Sequence, residues 1–204
     1  MIVVSASDDQ WHELTGSRPG IYWQRAENAA NFNQYADANA FFNLHNSEIF
    51  PEFEFFKKPV FINSVVQTLD DLVAPPNVYR INGWSTFLQR SFWEISGAIN
   101  EDVEAIFKSC NIRINFVKDE PGFIAARVIA MIINEAYFAL EDNVSSKAEI
   151  DTAMKLGTNY PYGPFEWAQL IGNKNILALL QHLCSTDSRY KPSEFLMKEA
   201  SGNN

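Results

Sequence analysis

Ile112-Arg113-Ile114-Asn115-Phe116-Val117 runs directly into Lys118-Asp119-Glu120-Pro121. The first six residues read as a strand. The next four read as a helix opening, since proline suits a first helical turn and acidic side chains suit its positive dipole end. Working outward, the two sides differ in kind. Upstream lie compact apolar runs: Ile2–Val4, Ile21–Gln24 after the Pro19-Gly20 turn, Ala40–Leu44, Pro59–Asn63, Val78–Ile81 and Phe92–Ile95. Continuous runs suggest parallel strands buried on both faces. Leu69–Val73 and Glu101–Cys110 look helical, so strands and helices alternate in an α/β sheet.

Downstream only helices are expected. A long one runs from Asp119 to about Asp142, with Ile124, Val128, Met131, Ile132, Tyr137 and Leu140 near helical spacing. Ser146-Lys147-Ala148-Glu149 is a capping box that starts a helix to about Leu156, closed by Gly157. Gly163-Pro164 starts another that ends at Gly172, and Asn175–Leu183 forms the last. The tail from Ser185 is expected to fray. The sequence therefore divides into residues 1–118, an α/β domain, and 119–204, a helical domain.

At 204 residues the chain needs no disulfide or metal staple, and 47% hydrophobic with 20% charged residues is ordinary for a globular protein. The net charge of −9 comes with no basic stripe, which argues against nucleic acid and anionic membranes. A phosphate-bearing ligand would need a local basic or helix-terminus site. Cys110 and Cys184 form no CxxC pair and suit a reducing cytoplasm. No metal site is expected. The N-terminal segment lacks the features of a signal peptide, and no apolar run reaches the roughly 18 residues of a membrane span.

Asp119-Glu120-Pro121-Gly122-Phe123-Ile124, then Arg127 and Asn134-Glu135-Ala136, form a distinctive string. It continues through Ile150–Gly157 and Pro161-Tyr162-Gly163-Pro164-Phe165-Glu166 to Arg189-Tyr190-Lys191-Pro192. Over residues 119–196 this resembles the C-terminal domain of the 3-hydroxyacyl-CoA dehydrogenases. The resemblance implies a Rossmann-like parallel-sheet domain followed by a helical domain that dimerises and helps enclose acyl-CoA. In the family, a His takes the proton of the substrate's 3-hydroxyl while hydride passes to NAD. A Glu orients that His, and a Ser and an Asn hydrogen-bond the substrate oxygen.

Carried onto this chain, the resemblance places Glu94 of Ser91-Phe92-Trp93-Glu94-Ile95 at the catalytic Glu. Counting back puts Asn82 at the His, Ser85 at the motif Asn and Thr86 at its Pro. Ser64, in Ile62-Asn63-Ser64, resembles the substrate-binding Ser. Ala126, directly before Arg127, stands where the catalytic Asn belongs. Asn82 has no titratable nitrogen. His12, His45 and His182 do not replace it by position in the sequence. After the first strand, Ser5-Ala6-Ser7-Asp8-Asp9-Gln10 lacks the GxGxxG that cradles pyrophosphate, and Asp8 and Asp9 would repel it. A first domain of 118 residues is also short for a dinucleotide domain and reads as lacking one or more βα units.

The expected protein is a catalytically degenerate relative with no cofactor, or with NAD if the family activity survives. The expected partners are an acyl-CoA-type small molecule and a second copy through the helical domain, in the cytoplasm. The alternatives are an active NAD-dependent dehydrogenase of fatty acid metabolism and a dimeric interaction module. Met131, Phe138, Phe165 and Trp167 are candidates for interface or core.

Overall fold

Each apolar run becomes a strand within two residues of its expected place. The computed structural model describes residues 1–45 and 49–202. The strands are β1 (Ile2–Ser5), β2 (Trp23–Ala26), β3 (Ala40–Asn43), β4 (Val60–Asn63), β5 (Val78–Ile81), β6 (Phe92–Ser96) and β7 (Arg113–Phe116). They form one sheet in the order β2-β1-β3-β4-β5-β6-β7. The first five are parallel, as buried runs suggest. The all-parallel expectation fails at β6, which is antiparallel to β5. The short loop from Asn82 to Ser91 contains no crossover helix, and only such a crossover would return the chain parallel.

The usual doubly wound order is 3-2-1-4-5-6. The order β2-β1-β3-β4-β5 is that order without its outer edge strand, which agrees with the expected loss of a βα unit.

Alternate residues of each strand face opposite sides. One face carries Val4, Phe42, Phe61, Tyr79, Ile81, Trp93 and Ile95. It packs on Leu14 of α1 (Asp8–Gly16) and on Val103 and Phe107 of α2 (Glu101–Ser109). The other face carries Val3, Phe41, Val60, Ile62 and Val78 beneath Phe32 and Phe53 of two 3-10 turns. Towards the carboxyl ends of the parallel strands this second face becomes polar. Ser5, Asn43, Arg80 and Ser96 fall in one register with Ile62 and are all buried.

Arg80 has no solvent exposure. It donates to the Ser64 carbonyl (2.9 Å), pairs with Asp119 and lies 4.7 Å from the Phe123 ring. Gly122 N–H donates to the Val65 carbonyl (2.7 Å). Residues 119–123 thus fold with the sheet, and the two compact units are Met1–Phe123 and Ile124–Asn204. Gly122 and Phe123 take positive φ, so the long helix begins only at Ala125, not at Pro121. Leu69–Val73 is a turn, not a helix. Thr68 and Asp71 bond each other's backbone, and Val73 leaves at φ 50°.

The second unit holds α3 (Ala125–Glu141), α4 (Lys147–Thr158), α5 (Pro164–Ile171), α6 (Asn173–Cys184) and α7 (Glu194–Ala200). The Ser146–Glu149 capping box is formed, and α4 runs one residue past Gly157 to a left-handed cap at Asn159. Phe165 and Trp167 are core residues, while Met131 and Phe138 are half-buried. The tail is ordered as α7, capped locally by Ser193, whose hydroxyl accepts from Leu196 N–H (3.3 Å), and tied to side chains of α3. Asn134 donates to the Lys191 carbonyl and accepts from Ser193 N–H (both 2.9 Å). Glu141 accepts from Phe195 N–H (2.7 Å).

Candidate functional site

The sheet register brings Ser64, Asn82 and Glu94 into one row. Asn63 pairs with Ile81 and Ile81 with Ile95. One step further along each strand sets Ser64, Asn82 and Glu94 side by side at the carboxyl edge. Their surroundings differ. The Ser64 hydroxyl donates to the Gln67 carbonyl (2.7 Å), so it is already committed within its own loop. Glu94 is half-buried. The Asn82 side chain is 8% exposed, and its Oδ1 accepts from Trp84 N–H (3.1 Å). That bond fixes the amide orientation, because a backbone N–H can meet only the oxygen. Nδ2 is left buried without a hydrogen-bond partner.

The loop after Asn82 is strained. Thr86 adopts φ 76°, which a β-branched residue rarely does, and its buried hydroxyl is also unpaired. Such outliers concentrate where function constrains the backbone. Ser85 is half-buried. All three histidines are exposed. His45 extends the row beyond β3, but two strands from Asn82, a separation of about 10 Å.

The place where a doubly wound sheet takes a dinucleotide is the crevice at the carboxyl ends of β1 and β3, where the strand order reverses. Here it is a cleft of about 560 Å³ lined by Ala6, Ser7, Asp8, Arg25, Glu27 and His45. Pyrophosphate would sit at the N-terminus of α1. That terminus is taken: Ser7 Oγ accepts from Gln10 N–H and Gln10 Oε1 accepts from Ser7 N–H (both 3.2 Å). Asp8 and Asp9 occupy the first turn. Arg25 pairs with Asp8 at 2.7 Å and holds its carboxyl below the ordinary carboxylate range. These residues do not fit a pyrophosphate. Helix α1 is not among the elements expected from hydrophobic pattern, because Asp8-Asp9-Gln10 is polar. The Ser7-x-x-Gln10 capping box is the signal that discloses it.

In the helical unit, Ala126 is fully buried in α3 and offers no polar group. The residues that carry the family string have structural partners. Asp151 accepts from Phe165 N–H (2.8 Å) and Glu166 N–H (3.2 Å), capping α5. Gly163 must be glycine, since a Cβ there would lie 2.3 Å from the Asp151 carboxylate. Glu166 pairs with Lys155 and accepts from Gly163 N–H (2.9 Å). Among the described residues, no group of three or more His, Cys, Asp or Glu could hold a metal ion, and no helix is long and apolar enough to cross a membrane.

A mostly parallel sheet whose strand order reverses between β1 and β3, followed by a helical unit, is a Rossmann-like fold with a helical C-terminal domain. Residues 122–202 match the family described as 3-hydroxyacyl-CoA dehydrogenase, C-terminal domain. The helical unit is thus similar to the C-terminal domain of the 3-hydroxyacyl-CoA dehydrogenases. The chain is similar to 3-hydroxyadipyl-CoA dehydrogenase of Escherichia coli (strain K12), at 46% identity over 86 residues, covering 41% of this chain and 18% of that one. It is also similar to 3-hydroxybutyryl-CoA dehydrogenase of Clostridioides difficile, at 38% identity over 116 residues, covering 53% and 41%. The chain thus spans less than half the length of these curated relatives. The crystal structure of (S)-3-hydroxybutyryl-CoA dehydrogenase from Ralstonia eutropha shares the fold, with a TM-score of 0.69 and 21% identity over 89% of this chain and 70% of that one.

Proposed function

We propose that this chain binds an acyl-CoA-type ligand and does not carry out the family's proton-coupled hydride transfer. Asn82 carries the reading. The resemblance puts it where a base should accept the 3-hydroxyl proton, and a carboxamide neither takes nor gives a proton near neutral pH. Its orientation, fixed by Trp84 N–H, leaves only a donor at that point. Glu94 keeps its place in the row, beside a carboxamide instead of an imidazole. By the same resemblance, Ala126 stands where a second polar group belongs and offers none. What supports retained binding is the helical unit, whose motif residues keep their capping and pairing partners.

The test is a calorimetric titration of the whole chain with acetoacetyl-CoA and with butyryl-CoA. Saturable binding of either is expected. No heat at millimolar ligand would remove the acyl-CoA part of the proposal. The partner we propose is a second copy of the chain, docking through α3 and the residue that precedes it, where Ile124 and Val128 are 57% and 51% exposed near half-buried Met131. Sedimentation velocity should show a concentration-dependent dimer that Val128→Asp weakens. A monomer at all concentrations would reject it.

A further inference from the structure

We infer that this chain has closed its own dinucleotide crevice, with Ser5, Ser7 and Gln10 at the three glycine positions and Asp8 in place of the ligand's negative charge. Closure is independent of whether an acyl-CoA binds. Counting from the end of β1, the spacing G-x-G-x-x-G falls on Ser5, Ser7 and Gln10. The three glycines of that motif serve, in order, a tight turn, close approach of backbone to pyrophosphate, and close packing of helix on strand.

A side chain undoes each of these. Ser5 is fully buried at the turn, with its hydroxyl unpaired. Ser7 has ordinary extended backbone (φ −63°) and turns its hydroxyl onto Gln10 N–H, a donor that phosphate would otherwise use. Gln10, where helix and strand should close up, instead reaches along the carboxyl edge of the sheet. Its Nε2 donates to the carbonyls of Leu44 (2.7 Å) and Gly83 (3.2 Å). Asn63 completes the bridge by donating to the Leu44 carbonyl (3.0 Å) and accepting from Gly83 N–H (2.9 Å). Gly83 is tight against it, since a Cβ there would meet the Asn63 side chain at 2.7 Å.

One continuous set of hydrogen bonds therefore ties α1 to the ends of β3, β4 and β5, across the line a dinucleotide would follow. On the outer side, Arg25 binds both Asp8 (2.7 Å) and the Ala6 carbonyl (2.9 Å). The cation at the turn is thereby neutralised by a carboxylate of the chain itself.

Two probes of the full chain test closure. NADH is titrated by fluorescence and inorganic pyrophosphate by calorimetry. The wild-type chain should show no saturable NADH binding up to millimolar concentration, and saturable binding would overturn the inference. The variant Ser7→Gly/Asp8→Asn/Gln10→Gly, checked for folding by circular dichroism, should bind pyrophosphate at least about tenfold more tightly than wild type, the effect of about one charge-assisted contact. If that variant does not fold, Asp8→Asn decides, because Asp8 is exposed and its loss leaves the fold intact. A gain of several-fold for Asp8→Asn supports closure. Wild-type affinity in the folded variant, or in Asp8→Asn where it alone is testable, overturns it.

Discussion

Among the described residues Arg80 is the most buried charge in the sheet unit, and its neighbours explain why it is tolerated. The guanidinium meets backbone carbonyls of Ser64 and Val65 as well as Asp119. Asp119 in turn accepts from Leu69 N–H (2.7 Å). One side chain therefore fixes both the loop that carries Ser64 and the 119–123 segment that ends the unit. Arg80→Met removes the charge but leaves those carbonyls and Asp119 without it. The loss should be about 3 kcal/mol in urea unfolding, typical of breaking a buried ion pair on one side. A loss under about 1 kcal/mol would mean that the surroundings relax around the vacancy and the staple matters little. Nothing local in Val78-Tyr79-Arg80-Ile81 discloses this role, since Arg80 and Asp119 are 39 residues apart.

Among elements, α4, α5 and α7 owe their ends to carboxylates. Glu149 accepts from the hydroxyls of Ser145 and Ser146 and from Ser146 N–H, which push its carboxyl from 4.5 down to about 2. Lys155 and Gly163 N–H lower Glu166. Burial works to raise Glu199, but bonds from Lys147, Tyr137 and Asn173 outweigh it and hold it low. A folded carboxyl below its unfolded value stabilises above the unfolded value and loses that contribution as pH falls through the folded one. Tm should therefore drop as pH falls from about 4.5 to about 2, the window set by Glu149. Glu149→Gln should show a visibly smaller drop. An equal drop in the variant would exclude the capping box as a source.

These caps also show why some elements are legible in the sequence and others are not. Ser146 to Glu149 and Gly163 to Glu166 are three-residue signals, and both helices start where they fall. The strands are legible because each is a short apolar run, most of them buried on both faces. The reversed direction of β6 is not, because pairing with Arg80 and Ile81 is a non-local choice. Helix α7 has a local N-cap in Ser193, but the anchors that keep the tail ordered, Asn134 and Glu141, lie more than fifty residues earlier and are not legible locally. In the candidate site, the row of Ser64, Asn82 and Glu94 follows from counting, but only the register sets the three positions adjacent. Gln10 is invisible as a bridge, since its partners are carbonyls of distant residues.

At the scale of the molecule, the string that carries the family resemblance is not the part to which the resemblance assigns chemistry. Asn134, Asp151, Gly163 and Glu166 hold helices in place. By the resemblance, chemistry in the family depends on positions that here are Asn82 and Ala126, and on a glycine turn that here is Ser5-Ala6-Ser7. A chain can keep the first set and lose the second, because the first set works through helix caps and ties that need no substrate. The most direct measurement is oxidation of NADH by acetoacetyl-CoA with the chain at concentrations comparable to both ligands. The expected result is no oxidation above the protein-free rate, with acetoacetyl-CoA still bound. Turnover that Asn82→Ala abolishes would contradict the account, because it would make the carboxamide part of a working site.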